Sequence, residues 1–435
     1  MTHSSSKPLS ATGWSNWSGN QQARGAALLH PDDQETLRNI VLQAERPLRV
    51  VGAGHSFTPI VTTPGTIVSL DRLSGVIDIN AGDSTARIHT GTRLHDLSFE
   101  LEQRGLAFHN LGDINVQSFA GAAATATHGT GEALPCLAAE MRAVRFMCAD
   151  GEIIDATLGD DPDLVRALGV SLGALGVLLE ATVNVRPAYR LHRRTWAEPI
   201  ESILAQAIDR WSVHRNYEFF YLPFSNHGIN IAHDETGSAQ TARAPSTDEA
   251  DLNDLRRLRS LLKWFPPLRR TLLAAAVRRA KPEDTVGISW QLLASERLTK
   301  FNEMEYHLPA STALDAFTEV RAWIERHRPD VFFPIEVRKT AGDDLWLSPF
   351  NDGPRISIAL HAHAPDDYSW FFDAPEQIFR EAGGRPHWGK LHSLRAADLS
   401  ELYPEFERFT SLRRDLDPNG VFLTPQLARL WGETE

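Results

Sequence analysis

The 435-residue sequence predicts an α+β protein of two domains. Three observations carry this. A chain of this length holds two domains or one large one. Its N-terminal third runs helix, strand, glycine loop, and then short strands with turn residues between them. After about residue 190 the character changes, with a polar, loop-like segment and a basic helical stretch before regular α/β patterning returns.

The elements follow in order. Leu37, Ile40, Val41 and Ala44 give residues 32–45 helical spacing, with Asp32 or Asp33 as the cap. A strand then runs into Val50-Val51-Gly52-Ala53-Gly54-His55-Ser56-Phe57. Short strands are predicted at 66–70, 75–79 and 86–90, with a turn at Gly82-Asp83, then a helix at 93–104 ended by Gly105. Residues 141–155 form a hairpin with Asp150-Gly151 at its turn. Residues 234–250 read as an exposed loop. Residues 252–281 hold nine Lys or Arg and many leucines, and Pro266-Pro267 divides them into two basic helices. Such a pair reads first as a solvated outer face and second as a membrane-surface element. A helix is predicted at 310–327 and strands at 334–338 and 356–363.

Composition is that of an ordinary globular protein, 42 % hydrophobic and 23 % charged, and a net charge of −12 argues against a nucleic-acid partner. Cys136 and Cys148 are too far apart for a Cys-x-x-Cys site, so a reducing, cytoplasmic setting is expected. Met1–Ser10 is polar and lacks the apolar core of a signal peptide. No window approaches the roughly 20 apolar residues of a membrane span, and membrane association is not expected.

Two apolar β-branched residues leading into a glycine turn leave amide N–H groups free to face a phosphate. The nicotinamide-dinucleotide fingerprint is excluded, because its third glycine would fall on Phe57 and Pro59 breaks any following helix. A second landmark is Asn110-Leu111-Gly112-Asp113, then Ser118 to Gly131. Apart from Phe119 and His128 that run holds only small residues, suited to close packing against a flat ligand. In Pro334-Ile335-Glu336-Val337-Arg338 the alternation puts Glu336 and Arg338 on one strand face. His361 and His363 likewise share a face, and without a carboxylate or cysteine partner no metal is expected. The third landmark is Gly383-Gly384-Arg385-Pro386-His387-Trp388-Gly389-Lys390.

Together these motifs resemble the vanillyl-alcohol oxidase type of flavoprotein, in its aldonolactone oxidoreductase branch, which includes alditol oxidases. The Trp14-Ser15-Asn16-Trp17 opening and the tail around Leu416-Asp417-Pro418-Asn419-Gly420 are similar too; the likeness is weakest at 234–285. The resemblance implies a PCMH-type FAD-binding domain at 1–190, a cap domain at 191–384 built on a large antiparallel sheet, and a C-terminal segment, 385–435, returning to the FAD domain. It implies FAD, attached covalently through His55. The cofactor would be held by Val51, Gly52, Ala53, Gly54, His55, Ser56, Gly112, Ser118, Gly121, Ala122, Thr125, His128, Gly129, Gly131, Gly176, Val177, His387 and Lys390.

The implied reaction is oxidation of an alcohol carbon in a sugar lactone or, alternatively, a polyol, with oxygen or another acceptor taking the electrons. Glu336, Arg338, Lys390, His361 and His387 would serve catalysis, with Lys390 or Arg338 as the cation that stabilises developing negative charge. The proton acceptor stays open among Glu336, His361, His387 and a bound water. A nicotinamide-dependent reductase of the same fold lacks its binding motif here. A silent flavin-binding protein is disfavoured by the intact Glu336, Arg338 and Lys390.

Overall fold

The computed structural model describes residues 13–242, 248–262, 264–279 and 282–433. Met1–Ser10 and the middle of the 234–250 stretch lie outside them.

The first unit is a three-stranded parallel sheet in the order Ala27–Leu29, Thr66–Ser69, Leu48–Val51. Helix Gln34–Gln43 connects the first strand to the last. Asp33 caps it by accepting from the Thr36 amide, and Leu37 and Val41 turn inward. The strand ending at Val51 hands the chain to Gly52 at the carboxyl edge of this sheet, where open α/β sheets place ligands.

Beside it lies a five-stranded antiparallel sheet in the order Ile153–Thr157, Met141–Met147, Val177–Asn184, Thr85–His89, Val76–Asn80. Gly151 (φ +79°) makes the hairpin turn, and Gly105 (φ +74°) follows helix Leu94–Gln103.

The largest element is an eight-stranded antiparallel sheet. Its order is Glu283–Ile288, Arg190–Pro199, His227–Glu235, Asn216–Leu222, Ile335–Thr340, Arg355–His363, Phe301–Pro309, Arg385–Pro386. Period-two alternation divides it into two unlike faces. Tyr217, Phe219, Tyr221, Ile335, Val337, Ile358, Leu360, Met304 and Tyr306 point one way and are buried. Helices Ile200–Val213 and Ala310–His327 cover that side with Ile203, Trp211, Phe317 and Val320. Phe317 meets Phe219 and Tyr221 edge-on at 5.7 and 6.0 Å. The opposite face carries Glu218, Glu336, Arg338, Glu303, Glu305, His307 and His361.

After Pro386 the chain returns to the first unit. The Phe57 amide donates to Gly389 O at 2.7 Å, and the Leu48 amide to Val421 O at 2.7 Å. Trp388 is fully buried, stacked on Tyr403 at 5.1 Å.

Two sequence expectations need adjustment. The 234–250 loop is shorter than predicted: strand His227–Glu235 enters it and helix Asp248–Leu262 leaves it. Asp234 reads as a loop residue, but it accepts from Arg194 Nη2, the Arg215 amide and His214 Nδ1, so its polarity is satisfied within the sheet. Helix Pro162–Gly169 was not predicted, although Asp161 caps it by accepting from the Leu164 amide and Pro162 opens it. The basic stretch forms two helices, Asp248–Leu262 and Pro266–Arg279, divided where the prolines predicted. Among the described residues no helix is long and apolar enough to cross a membrane.

Candidate active site

A cleft runs between the parallel sheet and the small-residue run. Val51, Gly52, Ala53, Gly54, His55 and Ser56 line one wall; Ser118, Gly121 and Thr125 line another; Gly176 and Val177 close an end. The two walls touch. A Cβ at Gly52 would sit 2.0 Å from Ser118 Oγ, so any larger residue there would displace that hydroxyl. Ser118 caps the short helix Phe119–Ala123, accepting from the Gly121 amide at 3.3 Å.

The rest of the predicted cofactor set lies behind this surface. Ala122 is core. Gly112 and Gly129 let residues 110–112 cross tightly under 127–131, since a Cβ at Gly129 would meet Leu111 O at 2.2 Å. The Gly131 amide donates to Lys339 O at 2.7 Å, tying the run to the strand that carries Arg338. His128 is buried, with Nε2 3.1 Å from Glu305 Oε1.

The opening Trp-Ser-Asn-Trp segment clamps the glycine turn. The Trp17 amide donates to Gly54 O at 2.8 Å, and Asn16 Nδ2 to Ser56 O at 3.0 Å. The Trp17 ring stacks on His55 at 5.1 Å. Burial pushes the His55 imidazole down to about 4, helped by the nearby charges of Lys390 and Arg93, so it is neutral at neutral pH.

Two arginines on this cleft were missed. Arg93 lines it with Nη1 buried and without a hydrogen-bond partner, a donor free for an anion. Arg49 donates from Nη1 to Gly173 O and Phe422 O, both at 3.0 Å, and so joins strand Leu48–Val51 and the loop at Gly173 to the C-terminal segment. A cleft edged by glycines, with a buried unpaired guanidinium nitrogen, fits a dinucleotide with a pyrophosphate.

The polar face of the large sheet presents three successive rows. Glu218, Arg338, Ser357 and His307 are neighbours across four strands; Phe220, Glu336, Ala359 and Glu305 form the next row; His361 and Glu303 follow. Arg338 is the hub. Its Nη2 donates to Glu305 Oε1 at 2.9 Å, its Nε lies 3.5 Å from Glu336 Oε1, and its Nη1 lies 3.7 Å from Asp113 Oδ1. Asp113 also accepts from Arg297 at 2.9 Å. Glu336 Oε1, Arg338 Nε, Glu305 Oε2 and His307 Nε2 are buried with no hydrogen-bond partner.

These surroundings separate the carboxyls. Burial drives Glu336 well above the usual range; Arg338 opposes this, and Asp113, Glu218 and Glu305 add to it. Burial likewise pushes Glu218 up to about 7. For Glu305 burial is outweighed by Arg338 and His128, which hold it well below that range. For Asp113 it is outweighed by Arg297 and Arg338, which hold it at about 2.

Lys390 is no surface lysine. Its ammonium pairs with the buried carboxylate of Glu303 and lies 5.2 Å over the Phe57 ring. Burial would discharge it, but Glu303 and Glu305 raise its affinity for the proton. His361 Nδ1 faces Pro334 O at 3.2 Å and its Nε2 faces Glu303 at 3.8 Å. His387 Nδ1 accepts from the Gly389 amide at 3.0 Å, and the ring sits beside His128 and His307. Burial keeps both His361 and His387 neutral.

His128, Glu305 and His307 offer ligand atoms within 4.8 Å of one another. The Arg338 guanidinium on the same Glu305 oxygen disfavours a further cation there. Glu303, Glu305 and Glu218 were missed as site residues. The signal was available: Glu303-Met304-Glu305-Tyr306-His307 alternates in the same way as Ile335-Glu336-Val337-Arg338.

A dinucleotide cleft beside a charged sheet face is the arrangement of an FAD-dependent oxidoreductase, and the comparisons agree. The family model for an FAD binding domain matches residues 25–157, and that for D-arabinono-1,4-lactone oxidase matches residues 181–430. The chain is 32 % identical to L-gulono-1,4-lactone dehydrogenase of Mycobacterium tuberculosis, over 96 % of this chain and 99 % of that protein. It is 26 % identical to L-gulonolactone oxidase of Bos taurus, over 96 % of this chain and 97 % of that one. An alditol oxidase from Streptomyces is 28 % identical, over 95 % and 97 %. Among solved structures, cholesterol oxidase from Brevibacterium sterolicum shares the fold, with a TM-score of 0.78 at 15 % identity over 96 % of both chains. The chain therefore belongs to the D-arabinono-1,4-lactone oxidase family.

Proposed function

We propose that this enzyme oxidises an alcohol carbon of an aldono-1,4-lactone of the L-gulono or D-arabinono type and passes the electrons to oxygen or another acceptor. The observation that carries this reading is the polar sheet face. Asp113, Glu218, Glu303, Glu305 and Glu336 surround Arg338, Arg297 and Lys390, with buried donor and acceptor atoms still unpaired. Such a surface suits a small molecule with several hydroxyls and repels an apolar one.

FAD would be held by Gly52–Ser56, by the small residues from Ser118 to Thr125, by Arg93, and by Gly176 and Val177; when bound it accepts a hydride from the alcohol carbon. The protein residues do the rest. Glu336, with an unpaired oxygen, takes the hydroxyl proton in its ionised form, which the neighbouring Arg338 favours against burial. Arg338, fixed by Glu305, donates to a neighbouring oxygen of the substrate. Lys390, fixed by Glu303, supplies positive charge where negative charge grows. His387 positions the Trp388–Lys390 turn through its contact with Gly389.

His55 is read as the covalent anchor. Its ring is neutral and therefore has a free lone pair, and Trp17 holds it in one orientation. Cys136 and Cys148 are buried and unpaired, which supports a reducing, cytoplasmic setting.

The test is an anaerobic panel of aldonolactones and alditols read by bleaching of the flavin absorbance, followed by air. Bleaching by an aldonolactone at lower concentration than by any alditol supports the reading. The reverse order assigns the enzyme to alditols, the substrate class named for the Streptomyces relative.

A further inference from the structure

Helices Asp248–Leu262 and Pro266–Arg279 have two faces of different standing. The inward face is accounted for. Leu252 and Leu255 pack on the main core, and Leu273 and Val277 are buried. Arg269 is buried, donates to Pro329 O and Val331 O, and lies 4.3 Å over the Phe224 ring. Arg259 pairs with Asp366 and lies over Phe332.

The outward face is open to solvent. Leu261 is 76 % exposed, Trp264 79 %, Phe265 62 %, Leu268 49 % and Leu272 44 %. These five occupy twelve consecutive positions at the turn of the helical pair, an unusual concentration for surface residues. The same stretch is electrically set apart. From Leu255 to Lys281 there are nine Lys or Arg and no Asp or Glu, in a chain of net charge −12. Arg257, beside the apolar group, is 76 % exposed at its side chain; it pairs with the equally exposed Asp254 at 3.2 Å, a contact worth little in water, so its charge still faces solvent.

We propose that this helical pair seats the enzyme on an anionic bilayer surface, with Trp264, Phe265 and the flanking leucines entering the headgroup–acyl boundary and the basic side chains facing lipid phosphates. Aromatic and leucine side chains next to Lys and Arg form the composition that binds there. Charge selects this occupant over a second copy of the chain. A two-fold contact through the same tip would bring two basic clusters together, whereas an anionic leaflet is complementary. The acidic remainder of the protein would be repelled by such a leaflet, so attachment depends on this one stretch. The inference does not rest on the choice of substrate.

The test is co-sedimentation of the FAD-loaded enzyme with phosphatidylcholine vesicles, with and without phosphatidylglycerol, at low and high salt. The enzyme should pellet with the phosphatidylglycerol vesicles, and salt should release it. Trp264→Ser/Phe265→Ser should lower the partition constant about tenfold or more. Arg257→Glu should lower it roughly 5-fold or more. Both variants should retain the wild-type flavin absorbance and turnover of soluble substrate. No pelleting of the wild type, or equal pelleting of the double variant, overturns the proposal. So does a concentration-dependent dimer, seen by sedimentation velocity without vesicles, that the double variant abolishes.

Discussion

Replacing Glu336 with Gln separates catalysis from stability most sharply. The side chain is buried, its Oε1 has no hydrogen-bond partner, and its one close cation, Arg338, stands 3.5 Å away. Removing the charge does not strand Arg338, which keeps Glu305 at 2.9 Å and Asp113 at 3.7 Å. It also relieves repulsion in a cluster of acids where Glu336 itself is driven well above the usual range. Breaking an ordinary buried ion pair costs about 3–5 kcal/mol; here the expected change in stability is zero or favourable. The rate should behave oppositely. A positioned base contributes roughly 10²–10⁴-fold, or about 3–5 kcal/mol of barrier. The assay is stopped-flow flavin reduction at saturating substrate, paired with a thermal melt of the same preparation. A melt many degrees lower, with reduction at the wild-type rate, would show that Glu336 is a structural partner of Arg338 and would refute the assignment.

The other predictions follow from the same geometry. Lys390→Met should slow flavin reduction by about one to two decades, the loss of one charge-assisted contact. It should also lower the melting temperature, because Glu303 is then buried without its partner; adding Glu303→Gln should recover the melt and not the rate. Wild-type protein should show flavin fluorescence on a denaturing gel, and His55→Ala should lose it; full release of flavin from wild type on denaturation removes the covalent reading. Glu218 has a folded value of about 7 against an ordinary 4.5, so the folded state holds its proton more tightly. Stability should therefore fall as pH rises from about 4.5 to 7, by up to about 3 kcal/mol from this group. Glu218→Gln should flatten that part of the melt-versus-pH curve, and an unchanged curve would show that Glu218 ionises normally.

Local patterns were legible in the sequence where they depend on near neighbours. The spacing of Leu37 and Val41, the glycine at 105 and the Asp150-Gly151 turn each named their element because one short-range rule governs it. Glu336 and Arg338 were readable as a pair for the same reason: two positions apart on a strand means one face. What escaped depends on contacts distant in sequence. Trp17 meets His55 only because the N-terminal segment folds back along the glycine turn. Glu303 and Glu305 reach the site only because their strand is next but one to that of Arg338, and pairing order is not written in either strand alone. Arg93 gave no local sign, since its importance lies in an unpaired nitrogen that exists only once the cleft closes. Asp234 misled in the opposite sense, because a polar residue reads as loop until its partners are known.

The large sheet explains how one chain can carry an acid-rich site and remain folded. Two unit charges about 4 Å apart interact by about 4 kcal/mol at an effective dielectric of 20, so crowded carboxylates oppose folding on the scale of a whole domain's stability. The same strands carry the compensation. Between Glu336 and Arg338 stands Val337; beside Glu218 stand Tyr217 and Phe219; between Glu303 and Glu305 stands Met304, and all four of these side chains are fully buried on the far face. Alternation thus assigns adjacent residues to opposite tasks, and the helices that cover the apolar side never touch the chemistry. The face that binds can then remain under-satisfied, with donors and acceptors unpaired, without the sheet losing its register. A one-residue slip would exchange the two faces and bury Glu336 against Phe317, so the hydrophobic side fixes the position of the catalytic side.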